Sequence, residues 1–362
     1  MRILIATNSY PTKKNPTWQV FVKNIAEGLR NEGMEVEVVY NPYFKYFKSD
    51  AEAGGIVSSV FKTLFITAAY LPYILYKARN FQIIYSHGVI WPGFLMRAAA
   101  RIHGIKHVCY AHGAVKLFAD SKGILFRFAR YTLQHCDKVF TNSSYMQKTL
   151  QSIYNCQSTV ISPGYKSNRF YYKPAEKKFD LFFAGNAVKR KGVDLLLDAI
   201  NNNLQFYRNK SLRVQINCSG EMKNEYVHFI EENKLGDIIT MGNKLEEDAL
   251  SEHYRSARIV VLPSRDEPLG LVGIEAIASG ALLVAADTGG IREYVTDGEN
   301  GFLFEPGNVQ DLQQTIEIAL DRYPEFQKKQ PAVSQSVQRY ALDQSIQKTI
   351  SIFKMIDSGY ES

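Results

Sequence analysis

Cysteine, tryptophan, long apolar runs and, over one stretch, acidic residues are what this sequence lacks. Four cysteines (Cys109, Cys136, Cys156 and Cys218) are scattered through 362 residues with no C-x-x-C spacing. They are too few for a disulfide framework in a chain this long, which fits a reducing, cytoplasmic setting. No charged segment precedes an apolar core at the N-terminus, where Met1 to Thr7 already has a strand pattern, so a secretory leader is not expected. The most apolar stretch covers residues 56 to 79, but its uncharged run from Thr63 to Tyr76 is 14 residues long and contains Pro72. That is too short to span a membrane and fits a helix packed on a sheet or one lying in an interface.

Between Glu52 and Asp120 there is no acidic residue, while Lys62, Lys77, Arg79, Arg97, Arg101, Lys106 and Lys116 are basic. Residues 1 to 164 hold 19 Lys and Arg against 8 Asp and Glu, a balance of +11; the remainder of the +7 chain therefore carries −4. A one-sided positive field points to an anionic partner such as a membrane surface, a lipid diphosphate or a nucleic acid. Arg/Gly-aromatic patterns of an RNA surface are missing from the basic half, so nucleic acid is not expected. His103 and His107 have i, i+4 spacing, but Gly104 intervenes and no acidic ligand is near, so no metal site is read there.

What is present is an alternation of strand and helix patterns, which predicts parallel sheets covered on both faces. The first series runs through MRILIAT, a helix from Val20 to Arg30, VEVVY (Val36 to Tyr40), FQIIYSHG (Phe81 to Gly88), a helix around Gly93 to His103, HVCYAHG (His107 to Gly113) and DKVFTNS (Asp137 to Ser143). Lys116 to Arg130 reads as a further basic helix. His87 and His112 each end an apolar strand, where α/β folds place ligand sites, although a lone His there also serves structure. After TVISPG (Thr159 to Gly164) a second series begins at FDLFFA. Its first loop contains Lys189, Arg190 and Lys191 ahead of a helix, either a diphosphate clamp or a solvated basic turn.

Arg258 to Gly280 reads as strand, loop and short amphipathic helix. Glu267 lies in the loop, and Glu275 is placed in the first turn of a helix from Val272 to Ala278. Gly270 between them permits close backbone approach to a ligand. Such a helix N-terminus suits an anion, with the two carboxylates free to take hydroxyl groups, and a sugar nucleotide has that chemistry. A Glu near a helix start is also favourable for the dipole alone.

The residues E-P-L-G-L-V-x-x-E-A-x-A-x-G from Glu267, a strand at Ala281 to Ala286, and G-G-I-x-E-x-V-x-D-G-x-N-G-F-L from Gly289 to Leu303 closely resemble a known donor-site signature. It is that of the retaining glycosyltransferases of the GT-B fold with two glutamates eight positions apart, the family 4-like "glycosyl transferases group 1". The resemblance implies an α/β fold of two doubly wound, Rossmann-like domains facing across a cleft. Residues 1–164 would be the acceptor side and 165–335 the donor domain. Residues 336–362, with an amphipathic helix from Tyr340 to Ile356, would cross back onto the first domain.

The implied reaction moves a sugar from a nucleotide diphosphate, UDP favoured, to a hydroxyl of a glycan or lipid-linked acceptor. It belongs to cell-surface polysaccharide synthesis at the cytoplasmic face of a membrane. Lys191 matches the family's diphosphate-binding Lys; Arg190, Gly270 and Leu271 would share the diphosphate, and Glu275 the ribose hydroxyls. His112 and Glu267 would hold the donor sugar. The backbone after Gly242 would meet the base, making Asn243, Lys244 and Leu245 candidates, and Trp18, Gln19 and His87 would lie on the acceptor side. Two positions depart from the pattern: Pro16 to Gln19 stands where glycines are usual, and Asn186 where an Arg on the diphosphate is expected. No Asp-x-Asp occurs, and the resemblance implies neither metal nor cofactor. A same-fold sugar-nucleotide epimerase or sucrose-type synthase, and a non-catalytic membrane or nucleotide binder, are the rival readings.

Overall fold

The computed structural model describes residues 1–12, 19–40, 71–118 and 123–359. It divides into two units, one formed by Met1–Gly164 with Leu342–Ser362 and the other by Tyr165–Ala341. Each is built on a six-stranded, all-parallel sheet.

In the first unit the strands are β1 (Arg2–Thr7), β2 (Glu35–Tyr40), β3 (Ile83–His87), β4 (Lys106–Ala111), β5 (Lys138–Thr141) and β6 (Thr159–Val160). Their order is β2-β1-β3-β4-β5-β6. Ile3, Leu4, Ile5 and Ala6 are fully buried in sequence, because helices cover both faces and leave no solvent side on which polar residues would alternate. The helix Leu342–Asp357 completes this core: Ile346, Ile350 and Phe353 join Val22, Ile25 and Leu29 of the helix Val20–Asn31 in one apolar cluster. Gly28 makes the approach of the two helices so close that a Cβ there would lie 2.7 Å from Ile346 Cγ1.

The second unit contains β7 (Phe179–Asn186), β8 (Val214–Ser219), β9 (Ile239–Gly242), β10 (Ala257–Leu262), β11 (Leu282–Ala286) and β12 (Gly301–Phe304), in the order β12-β11-β10-β7-β8-β9. The order reverses between β10 and β7, which separates the carboxyl ends of these strands' loops and opens the crevice where doubly wound sheets take ligands. In the first unit the same reversal falls between β1 and β3.

Several local expectations are corrected. Lys116 to Arg130 is not one helix: a 3-10 turn covers Gly113–Phe118 and a helix covers Ile124–His135. The helix of the central stretch starts at Leu271, so Glu275 stands at its fifth position, in the second turn. That helix is also apolar nearly all round, with Gly273, Ile274, Ala276, Ile277 and Ala278 buried, since it is packed within the unit. The chain leaves the second unit at Ala341, later than residue 335, and the final helix starts at Leu342. Residues 13–18, which include Trp18, and residues 56–70 of the apolar stretch lie outside the described residues. No described helix is long and apolar enough to cross a membrane.

Candidate functional site

Two loops meet at the strand-order reversal of the second unit, one after β7 and one after β10. The first turns through a 3-10 segment, Lys189–Lys191, and ends at Gly192, whose φ of +71° places it in the left-handed region. A Cβ on Gly192 would fall 1.9 Å from the Pro263 carbonyl oxygen, so only glycine lets the loops pack this tightly. Arg265 then ties them together. Its guanidinium forms a bidentate pair with Asp194 at 2.9 and 2.7 Å, and Nη1 donates to the Lys189 carbonyl at 2.7 Å. Its own backbone N–H donates to the Arg190 carbonyl at 2.8 Å. Asp194 also takes Lys189 Nζ at 2.6 Å, and these two cations hold its carboxyl below the ordinary value against the effect of burial.

Those contacts decide which cations face a ligand. Lys189, one of the three basic residues of this loop, is committed to Asp194. Arg190 donates to the Asp266 carbonyl at 2.7 Å and stands 4.0 Å from the Glu267 carboxylate. Lys191 forms an ion pair with Glu267, and Ser264 Oγ donates to the same carboxylate oxygen at 3.2 Å. Asn186 ends β7 with its side chain exposed and makes no described side-chain contact with this cluster.

A third loop fixes Glu267 from behind: its carbonyl accepts from the Gly290 N–H at 3.1 Å, and a Cβ on Gly289 would come 1.9 Å from that oxygen. Gly270, at φ +85°, caps the helix Leu271–Ala278, and its carbonyl accepts from the Tyr294 hydroxyl at 3.1 Å. The first N–H groups of that helix, from Leu271 and Val272, have no intrahelical acceptor and carry the positive end of its dipole. Lys191, Arg190 and Glu267 therefore meet beside the N-terminus of this helix, which carries Glu275 in its second turn.

Glu275 retains part of its surface but is closely surrounded. Burial, and secondarily the Glu247 carboxylate, push its carboxyl from 4.5 up to about 8, while the Tyr254 hydroxyl opposes the rise. Tyr254 Oη itself makes no hydrogen bond of ordinary geometry. Glu247 is balanced by Lys166 at 2.9 Å and Arg169 at 3.5 Å. The folded protein thus keeps a proton on Glu275 that the unfolded chain has lost between pH 4.5 and 8, so stability falls as pH rises through that window. Glu275→Gln is expected to melt like wild type at pH 5 and to be more stable by about 2 kcal/mol or more at pH 8.5. Urea unfolding at both pH values checks this; equal stabilities at pH 8.5 would show an ordinary carboxyl.

Beyond β9, Asn243 is engaged within the fold: its carbonyl accepts from Asn217 at 2.7 Å and its side chain from Lys223 at 2.5 Å. Leu245 packs at the edge of the core, and Lys244 is exposed.

In the first unit, a separate cavity of about 300 Å³ opens at the carboxyl ends of β1, β3 and β4, lined by Asn8, Gln19, Phe21, His87, Trp91 and His112 among others. His87 Nδ1 and His112 Nε2 are 3.3 Å apart, and the edge of Phe21 packs on His112. Burial lowers both imidazoles, that of His112 to about 4, so the pair is neutral at pH 7. His87 Nε2 is buried without a hydrogen-bond partner. Gln19 has φ +41° and ψ +46°, the left-handed conformation in which glycine is unstrained. Its Oε1 accepts from the Thr7 hydroxyl at 2.6 Å. The side chain thus stands where backbone alone was expected.

His107 is buried and hydrogen-bonded to Ser86 at 2.9 Å, away from His103. Among the described residues no group of three His, Cys, Asp or Glu is placed to hold a metal ion. Asp194, Arg265, Ser264 and Tyr294 were not legible as site residues, because Arg265 meets Asp194 71 positions away and only the fold brings them together.

Comparison with known proteins places this site in a family. The "Glycosyltransferase Family 4" model matches residues 19–169, and the "Glycosyl transferases group 1" model matches residues 165–335. An uncharacterized glycosyltransferase of Methanocaldococcus jannaschii, MJ1178, is 28% identical over 240 residues, 66% of each chain. The D-inositol 3-phosphate glycosyltransferase of Paenarthrobacter aurescens is 31% identical over 145 residues, 40% of this chain and 36% of that one. The matches thus span from about a third to just under two thirds of these relatives' lengths. Anabaena HepE in complex with UDP superposes with a TM-score of 0.77 at 18% identity, over 98% of this chain and all of that one, and shares the GT-B fold. With the two models together spanning nearly the whole chain, and the fold matching in both units, the protein belongs to the group 1 glycosyltransferases with a family 4 N-terminal domain.

Proposed function

We propose that the protein is a retaining glycosyltransferase that moves a hexose from a nucleoside diphosphate, UDP favoured, to a hydroxyl of a glycan or lipid-linked acceptor in cell-surface polysaccharide synthesis. The observation that carries this reading is the meeting of Lys191, Arg190 and Glu267 beside the N-terminus of the helix Leu271–Ala278, which itself carries Glu275. As the bond from the sugar's anomeric carbon to the phosphate oxygen breaks and the acceptor oxygen bonds to that carbon, negative charge collects on the departing diphosphate. Preorganised cations and helix N–H groups oppose that charge without reorganising, which makes them suited to the transition state. In this scheme the charge is met by Lys191, Arg190 and the N–H groups after Gly270, not by a metal ion. Glu275 takes the ribose hydroxyls and Glu267 the sugar.

UDP is favoured because HepE, of the same fold, is described with UDP bound. The neutral His87–His112 pair and Gln19 offer the first unit's cavity hydrogen-bonding groups without net charge, which suits sugar hydroxyls. The acid-free basic stretch of that unit supports an anionic membrane surface at the cytoplasmic face as its partner.

Calorimetry with UDP, GDP and ADP, with and without Mg²⁺, on wild type and Glu275→Ala tests the reading. One nucleotide is expected to bind without metal, and the substitution to weaken it about tenfold or more, as removing a buried hydrogen-bonding anchor does. Binding of none would turn the interpretation to a non-catalytic relative. Donor turnover without any acceptor would point to an epimerase.

A further inference from the structure

The Lys191–Glu267 pair is nearly closed to water, with 15% and 9% of the respective side chains exposed. It occupies the cation that the reading above assigns to the diphosphate. We propose that Glu267 discriminates the intact donor from the spent nucleotide: it claims Lys191 whenever no sugar is present and thereby loosens the nucleoside diphosphate product. This rests on the donor-site reading.

Three features of the structure lead there. First, Glu267 has two cations within 4.0 Å, Lys191 and Arg190, and an arriving diphosphate must compete with its carboxylate for both. The other cations nearby, Lys189 and Arg265, are held by Asp194 and cannot take over either role. Second, the backbone of Glu267 cannot retreat. The Gly290 N–H holds its carbonyl, and Gly289 packs directly on it. Only the side chain can turn, away from Lys191 and from the hydroxyl of Ser264.

Third, what the carboxylate gains by turning depends on the ligand. An intact donor brings sugar hydroxyls, which donate hydrogen bonds and satisfy the displaced carboxylate. A bare diphosphate brings only acceptors of its own sign. A carboxylate removed from its partner in a nearly dry site and given no donor in return is strongly disfavoured. The spent nucleotide therefore binds against Glu267, and the intact donor binds with it.

Titration of UDP and UDP-glucose against wild type, Glu267→Gln and Glu267→Asp tests this. Neutralising the carboxylate frees Lys191, so Glu267→Gln is expected to bind UDP at least tenfold more tightly than wild type and UDP-glucose no more tightly. Glu267→Asp, whose carboxylate is one methylene further from Lys191, is expected to tighten UDP in the same direction by a smaller factor, and it serves if the amide variant does not fold. Unchanged or weaker UDP binding in the folded variants overturns the proposal. If wild type binds UDP and Glu275→Ala weakens it while the Glu267 variants show no tightening, this proposal alone fails. If wild type binds no nucleotide, the donor-site reading fails and this one with it.

Discussion

Replacing Lys191 with Met is expected to lower sugar transfer by a factor of about 10²–10³, the loss seen when one preorganised group facing developing charge is removed. The side chain is about the same length, so packing is kept while the cation goes. Stability should fall as well, by about 3 kcal/mol, because the buried Glu267 carboxylate loses its partner. These two effects can be separated. In Lys191→Met/Glu267→Gln no charge is left unpaired, so stability should return toward wild type while transfer stays low. Measuring kcat and the unfolding midpoint for both variants tests the assignment. Recovery of transfer in the double variant would show that Lys191 acts only by neutralising Glu267.

Gly192→Ala is expected to cost the second unit about 3 kcal/mol or more. About 1–2 kcal/mol comes from forcing a side chain into the left-handed region. The rest follows from the added Cβ, which would lie 1.9 Å from the Pro263 carbonyl and 2.8 Å from its carbon, so that the two loops must separate. Gly307 is the control. It has φ +82° but nothing within 4 Å of an added Cβ, so Gly307→Ala should cost only the backbone part, about 1 kcal/mol. Because Gly192 follows directly on Lys191, its substitution should also weaken nucleotide binding, whereas Gly307→Ala should not. Equal losses for the two variants would mean that the loop packing contributes nothing.

The fold was legible because parallel strands covered on both faces appear as short apolar runs. Ile3 to Ala6 and Ile259 to Leu262 have no other plausible reading, and each is buried throughout. The core of the donor signature was legible for a different reason: Glu267, Gly270 and Glu275 are neighbours along the chain. Contacts between distant segments were not. Nothing in the spacing of Asp194 and Arg265 announces a bidentate pair, and the commitment of Lys189 to Asp194 depends on that same fold-made junction. Sequence marks Gln19 as standing where glycines are usual, but not that it keeps a left-handed backbone with its side chain bonded to Thr7, since that bond joins residues twelve positions apart. The helix position of Glu275 was misplaced by one residue at the start, enough to move the carboxyl from the first turn into a crowded second turn that raises its pKa.

The return of the chain after Ala341 makes the second unit an insertion within the first, and this sets an order on synthesis. A ribosome makes all six strands of the first sheet before it begins the second unit, yet Ile346, Ile350 and Phe353, which close the first unit's core, emerge only after the whole second unit has been made. The second unit, continuous from Tyr165 to Ala341, has every residue it needs while the nascent first unit still exposes the face of Val22, Ile25 and Leu29. The first unit is therefore begun before the second and completed only after it.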